Sequence, residues 1–463
     1  MKNLLRDWTG KAVTIIGGGL SGVALARLAK EAGARVFVSD AAKIKDDRLS
    51  DMKAMGIAFE EEGHTERLFE ADALVLSSGI APTSPVLSLA RDKGIPVVGE
   101  LDFVAPFLDV PVIAVTGSNG KTTTTGMLGH FFSSLGLKVV TAGNIGNPIA
   151  LVPVCFSDSQ VVVAEVSSFQ LFWCSSATFV GSVVTNIAPD HIDWHGSFEN
   201  YVASKKRAME RTMLSGFSII QRSDANILGA SGLSHKVLTL TWGHALGEQD
   251  VCLDDDAKEA RMILDGQPIR LFRFEEVKLL GKHNLENAAM ALASAAMFLR
   301  RPVSGEEVNI AGFKAPPHRC ELAGVVNGVI FVDDSKGTNV AATVTALKSL
   351  KCPGNGRKII LLGGRGKGET YELLARAVLE ECYHAVLYGE EGMAIGAALS
   401  KAGFSNWVYV NDLNDAVNKA YELARPNDMV LLSPACTSWD QYSSYKERGD
   451  HFKRLVASLA SLN

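Results

Sequence analysis

The segment Gly117-Ser-Asn-Gly-Lys121-Thr122-Thr123 carries the clearest chemical content of the chain. An apolar run, Val112–Val115, leads into it, and a helical pattern from Thr122 to Leu135 follows. Strand, glycine-rich loop, Lys-Thr and helix form a P-loop: backbone N–H groups cradle phosphates, the lysine reaches the β/γ oxygens and the threonine hydroxyl ligates Mg²⁺. The usual spacing is GxxxxGK[ST], and Val115 stands where its first glycine would be, so the loop is a variant. Gly117, Asn119, Gly120, Lys121, Thr122 and Thr123 are the expected contacts of a nucleoside triphosphate. A plain strand–helix turn leaves the lysine and two threonines after Gly120 unexplained.

Two further strand ends carry ligand-type residues. Val161-Val-Val-Ala-Glu165 places a carboxylate at one, and Val183-Val-Thr-Asn186 leads to Asp190 and His191 at the other. In open α/β sheets ligands gather beyond the carboxyl ends of strands, so Glu165 and His191 are expected to face the P-loop. Mg²⁺ prefers oxygen ligands, which suits Glu165. A histidine ligand is less usual and points to a special second metal position; a capping or core histidine is the plain alternative. No HExxH joins His191 to His195, so zinc-protease chemistry is not expected and His195 is read as a surface or core residue.

Near the start, Gly17, Gly19 and Gly22 form GxGxxG between a strand and a helix, and Asp40 ends the next strand. Such glycines let a pyrophosphate approach the helix N-terminus. The residues alone admit a dinucleotide, a nucleotide-sugar, or a tight turn with Asp40 solvated. Late in the chain, Asp334-Ser-Lys336-Gly-Thr338, Gly364-Arg365-Gly-Lys367 and Cys436-Thr-Ser438 each follow an apolar run, a density of polar groups that suits a bound anion.

The elements that must position these residues alternate between apolar runs and amphipathic helical stretches, the βαβ signature of parallel sheets. Strands are predicted at Ala12–Ile16, Arg35–Ser39, Val112–Val115, Val161–Ala164, Val180–Asn186, Val329–Val332, Lys358–Leu362, Ala385–Tyr388, Trp407–Val410 and Met429–Leu432. Helices are predicted over 21–32, 122–135 and 285–299. Residues 215–280 read as short β runs, with Asp265-Gly266 as a two-residue hairpin turn. KAPP, 314–317, reads as a linker. At 463 residues about three domains are expected, with boundaries 1–109, 110–314 and 315–463. The net charge of −5, with no Lys/Arg-rich run, argues against nucleic acid or acidic lipid as partners. No run reaches a membrane span, and the N-terminal apolar stretch is too short for a signal peptide. The seven scattered cysteines lack CxxC and read as reduced thiols of a cytoplasmic protein.

Together these motifs resemble the Mur ligase family over nearly the whole chain. Its short P-loop, TGxNGKTT, matches Thr116–Thr123 and accounts for the missing first glycine. EVSSFQL at 165–171, NIAPDHIDWHG at 186–196, PHRCE at 317–321, DDSKGTN at 333–339 and SPACTSWDQY at 433–442 are most similar to its D-glutamate-adding branch. The resemblance implies three α/β domains: Rossmann-like, P-loop ATPase-like with a mostly parallel sheet, and Rossmann-like. It implies ATP-dependent ligation of D-glutamate to UDP-N-acetylmuramoyl-L-alanine through an acyl phosphate, in the synthesis of a peptidoglycan precursor, by a cytoplasmic monomer.

The first domain then binds UDP, not a dinucleotide, through Gly19, Leu20, Ser21, Asp40, Ser78 and Gly79, with Asn144 at the substrate. Thr122 and Glu165 hold one Mg²⁺, and His191 helps hold a second. Asn287, Arg319 and Asp334 lie by the adenine and ribose of ATP. Lys336, Thr338, Lys367, Ser438 and Tyr445 meet D-glutamate; Tyr445 stands where Phe is expected, and Arg365 is an alternative to Lys367. The family's YxxxK falls on Tyr201-Val-Ala-Ser-Lys205, which implies a Lys205 carbamate at the second metal, with Lys206 the alternative. A helix beginning near Phe198 puts Tyr201 and Lys205 on one face and turns Lys206 away. Three rivals remain: a dehydrogenase built on GxGxxG, a non-catalytic nucleotide-binding regulator, and a sister ligase adding another amino acid.

Overall fold

The computed structural model describes residues 7–244, 247, 250–315 and 317–461. Pro316 of the KAPP segment and residues 1–6 of the N-terminal stretch lie outside them. The chain divides into two compact units: one runs to Glu276 and takes in Asn287–Ala311, and the other comprises Val277–Glu286 and the chain from Gly312 onward.

The first unit holds two sheets. The N-terminal one has five parallel strands in the order Ala58–Glu60, Arg35–Ser39, Ala12–Ile16, Ala73–Leu76, Val97–Gly99. Its inner strands are mostly apolar, with Thr14 buried among them, as parallel strands covered on both faces are. The helix Leu20–Glu31 buries Ala24, Leu25, Leu28 and Ala29 on one side. Gly22 lies against the Gly17 carbonyl, where any side chain would collide, so this turn accepts only glycine there.

The second sheet has nine strands, ordered Gln267–Arg273, Glu259–Leu264, Asp250–Asp254, Lys236–Trp242, Thr212–Gln221, Phe179–Val184, Val112–Thr116, Val161–Glu165, Val139–Gly143. It is parallel from Val139–Gly143 to Asp250–Asp254, and the last two strands form the antiparallel hairpin expected from Asp265-Gly266. Both turn residues have positive φ, 50° and 76°, the conformation that matches a hairpin's twist. One buried cluster runs from Val13, Ile15 and Leu25 to Ala114, Val162 and Leu171, so the two sheets of this unit share a core.

The second unit is a six-stranded sheet ordered Glu321–Val326, Val329–Asp333, Met429–Leu432, Lys358–Gly363, Cys382–Tyr388, Trp407–Tyr409, antiparallel only at its first pair. Strand residues alternate between faces. Ile360 and Leu362 pack with Leu374, Ile395 and Leu399, while Ile359 and Leu361 pack with Val417, Phe452 and Val456. The predicted strands are present in all three sheets, with ends that differ by at most three residues. Among the described residues, no helix is long and apolar enough to cross a membrane.

Candidate active site

The strand Val112–Thr116 lies between Val161–Glu165 and Phe179–Val184, where the sheet order reverses. Three strand ends therefore open onto one crevice, the place where such sheets bind ligands. The loop 117–120 leaves the first, Glu165 ends the second, and Thr185 and Asn186 follow the third. Asn186 Oδ1 accepts from Asn119 N at 3.0 Å, and Ser118 Oγ donates to Ala188 O at 2.8 Å. These bonds fix the loop from its neighbour strand. Gly120 has φ 83° and faces the Asn287 side chain, so the helix Lys121–Ser134 starts at a position suited to glycine.

Glu165 is buried, 1% exposed. Thr122 Oγ1 donates to its Oε2 at 2.8 Å, and Asn144 Nδ2 donates to its Oε1 at 2.9 Å. A hydroxyl and a buried carboxylate held together at the mouth of a phosphate loop are hard oxygen donors of the kind Mg²⁺ takes. Lys121 Nζ folds back on Gly117 O (2.8 Å) and Ser118 O (2.9 Å). Asn287 is buried and accepts from Thr124 Oγ1 at 3.2 Å.

Lys205, on the helix Phe198–Glu210, is 2% exposed. Its Nζ donates to the same Gly117 carbonyl at 2.7 Å and lies 4.8 Å above the Tyr201 ring. Burial, then the nearby Lys121 ammonium, push its pKa well below the ordinary lysine value. Lys206 instead is partly exposed and pairs with Glu210 at 3.5 Å. Tyr201 OH sits 2.7 Å from Ser118 Oγ, so the YxxxK face braces the P-loop directly.

His191 has left-handed backbone geometry, φ 52°, at the start of a short helix. Its ring is 41% exposed, sits 3.6 Å from the Asp190 carboxylate and packs edge-on against Phe169, so it is not a core histidine. His195 is the core residue: its Nε2 bonds Ser168 Oγ at 3.0 Å, and burial pushes its pKa down to about 4.

In the N-terminal sheet the strand order reverses beside Ala12–Ile16, and the residues expected at a nucleotide-sugar gather at that edge. Asp40 accepts from Gly18 N at 2.6 Å and Ala42 N at 2.8 Å, so it orders the glycine turn. The space beside Gly19 is open, and Leu20 is exposed. Ser21 Oγ lies 3.4 Å from Ser78 Oγ, Ser78 donates to Glu100 Oε2 at 2.9 Å, and Gly79 O accepts from Trp194 at 3.1 Å. Asn144 belongs by position to Glu165 rather than to this group.

The second unit brings its expected residues to the carboxyl edge of Val329–Asp333, Met429–Leu432 and Lys358–Gly363. Burial raises the Asp334 pKa to about 7, although Ser433 Oγ (2.6 Å) and Cys320 N (3.2 Å) donate to it; the Arg319 charge also acts on it. Lys336 Nζ lies 4.3 Å over the Tyr445 ring, a contact that phenylalanine would also make. Thr338 N donates to Lys336 O at 2.8 Å, and Ser438 is buried. Arg365 is engaged by Glu390 at 2.7 Å, whereas Lys367 is exposed.

Sequence reasoning missed two groups. Glu100 is a buried carboxyl between Ser78 and Gln170 Nε2 (2.9 Å), and nothing in GELDF marks it. Arg448 is fully buried; its KERGDH context reads as solvated, and the only signal is that Phe452 and Val456 follow at helical spacing.

Family models match three stretches: a MurD N-terminal domain over residues 12–86, a Mur ligase middle domain over 115–295 and a Mur ligase glutamate ligase domain over 318–436. The chain belongs to the Mur ligase family, ATP-dependent ligases that couple amino acids to acids. Among its relatives, the UDP-N-acetylmuramoylalanine–D-glutamate ligase of Pelotomaculum thermopropionicum is 38% identical, covering 98% of this chain and 99% of the relative. The protein of that name from Caldicellulosiruptor saccharolyticus is 34% identical over 98% and 100%. Among solved structures, MurF ligase from Thermotoga maritima in complex with ADP covers 99% and 100% of the two chains at TM-score 0.60 and 16% identity. MurC from the same organism gives 0.58 at 18% identity, covering 97% and 99%, a likeness of fold.

Proposed function

We propose that this chain ligates D-glutamate to UDP-N-acetylmuramoyl-L-alanine in the cytoplasm, as a monomer, consuming ATP and releasing ADP and phosphate. The observation that carries the chemistry is the Thr122–Glu165 pair at the end of a P-loop strand, and near-full-length similarity to D-glutamate ligases supports the substrates. A carboxylate does not condense with an amine at neutral pH. The substrate carboxylate oxygen attacks the γ-phosphorus in line, the bond to ADP breaks, and an acyl phosphate forms. The D-glutamate nitrogen then attacks the acyl carbon, loses a proton, and expels phosphate from a tetrahedral intermediate.

Lys121 leaves the two loop carbonyls it now holds and meets the β/γ oxygens. Gly117, Asn119, Gly120, Thr122 and Thr123 cradle the phosphates, with Asn287, Arg319 and Asp334 at the nucleoside. Gly19, Leu20, Ser21, Asp40, Ser78 and Gly79 hold UDP, and Asn144 orients the substrate beside Glu165. Lys336, Thr338, Lys367, Ser438 and Tyr445 take D-glutamate, whose two carboxylates suit the lysines.

Thr122 with Glu165, and His191 with Lys205, are the residues that would hold two Mg²⁺ ions. When bound, these ions supply neutralisation of the phosphate charge. An unmodified Lys205 ammonium would repel a cation, whereas a carbamate offers two oxygens and a negative charge. Burial that favours the neutral amine supports that modification at Lys205, and the exposed ion pair of Lys206 argues against it there.

The test is a panel of D- and L-amino acids offered with ATP and UDP-N-acetylmuramoyl-L-alanine, with phosphate release and product mass measured. D-glutamate is expected to be the amino acid coupled. Preference for another amino acid, as in a sister ligase, would overturn the assignment.

A further inference from the structure

The residues expected at the amino-acid substrate come from four segments of the second unit: Asp334–Thr338, Gly364–Lys367, Cys436–Ser438 and Tyr445. A single guanidinium bonds two of them, is linked to Tyr445 through Ser335, and lies beside Gly364. Arg448, on the helix Tyr445–Ser461, is 0% exposed. Its Nε donates to Ser335 Oγ at 2.9 Å, and its Nη2 donates to Ser335 O at 2.8 Å and Cys436 O at 3.2 Å. Ser335 Oγ in turn donates to Tyr445 O at 2.9 Å. Nη1 lies 3.2 Å from where a side chain on Gly364 would begin.

Among the described residues, no carboxylate bonds this guanidinium. Its hydrogen bonds go to a hydroxyl and two carbonyls, none to a carboxylate, and among the described residues Nη1 has no partner. Ser438 Oγ, on the segment whose Cys436 carbonyl Arg448 holds, is also buried without a partner among the described residues. Buried polar groups are almost always satisfied, and a buried cation without an anion is especially costly. Both lie behind segments expected to meet an amino acid with two carboxylates, so the guanidinium leaves an uncompensated positive field at that site.

We propose that Arg448 is the positioning residue of the amino-acid site. It fixes the backbones that lead into Lys336 and Ser438 and gives the site a buried positive charge that favours an amino acid with a second carboxylate. This rests on the reading that the second unit receives D-glutamate. A guanidinium that only supports the fold would lower stability when replaced without singling out one substrate.

The experiment uses the full-length protein with Arg448→Lys, Arg448→Met and Ser335→Ala, measuring kcat and KM for D-glutamate and for UDP-N-acetylmuramoyl-L-alanine, with melting curves alongside. Arg448→Lys keeps charge but loses the two-segment bridge; it is expected to raise the D-glutamate KM about tenfold, and Arg448→Met about a hundredfold. Ser335→Ala, which removes one bond and the link to Tyr445, is expected to raise it about threefold. The KM for the nucleotide-sugar stays within about twofold throughout. If Arg448→Met does not fold, the other two variants decide. Folded variants with an unchanged D-glutamate KM, or with both KM values raised alike, overturn the inference alone. A wild-type protein that couples only a neutral amino acid overturns the substrate reading and the charge argument with it.

Discussion

Lys205 is where the chemistry proposed for the site departs most from an ordinary side chain. A solvated lysine, with pKa about 10.4, is roughly 0.1% neutral at pH 7.5. Only the neutral amine attacks CO₂, forming an N–C bond and releasing a proton. Each unit by which burial and the Lys121 charge depress the pKa multiplies the reactive fraction tenfold, an advantage that Lys206 on the surface lacks. In ¹³C-bicarbonate a carbamate resonance is expected from the wild type and from Lys206→Ala, and none from Lys205→Ala. Loss of a metal-ligating oxygen pair is expected to lower kcat about a hundredfold or more in Lys205→Ala. Wild-type activity is expected to fall on removing CO₂ and to return with bicarbonate. A carbamate signal that survives in Lys205→Ala, or full activity of that variant, refutes the reasoning.

Lys121→Ala is expected to abolish phosphate release while leaving UDP-substrate affinity within about twofold, because its ammonium lies on the P-loop carbonyls of Gly117 and Ser118, in a different sheet from the glycine turn expected to hold UDP; calorimetry with the nucleotide-sugar checks this. Glu100→Gln tests a buried acid. Burial raises its pKa above the unfolded value despite donors from Gln170 and Ser78. The folded state therefore binds the extra proton, and the stabilisation is complete below the unfolded pKa near 4.5 and is lost as pH rises through the folded value. Melting temperatures of Glu100→Gln are accordingly expected to gain on the wild type as pH rises from 5 to 8, and a constant difference would count against it.

Much of this was legible in the chain because parallel strands declare themselves. Ala12–Ile16 and Met429–Leu432 are mostly apolar and buried throughout, Arg35–Ser39 carries an apolar centre, and the ends of all three coincide with the sequence reading. The P-loop and Glu165 follow from strand ends at a reversal of strand order. What pattern could not give is which polar groups turn inward. Asp40 and Asn144 carry the expected residue types, yet their visible partners are the Gly18 amide and Glu165. Arg448 and Glu100 were invisible because a charged residue is exposed by default, and only tertiary packing buries these two. Of the two histidines, His191 is the exposed one and His195 the buried one, a distinction set by Phe169, Ser168 and Ser204 rather than by spacing.

The hairpin that ends the nine-stranded sheet has a bearing on self-association. An open sheet edge is a row of unpaired amides and carbonyls on which another chain can build. Here the outermost strand, Gln267–Arg273, starts with exposed Gln267 and Pro268, and also exposes Arg270 and Arg273. Proline offers no amide to an incoming strand, and the two guanidinium groups repel a second copy laid alongside. The antiparallel addition at residues 259–273 thus ends the sheet on an edge whose proline and guanidinium groups disfavour pairing with a second copy.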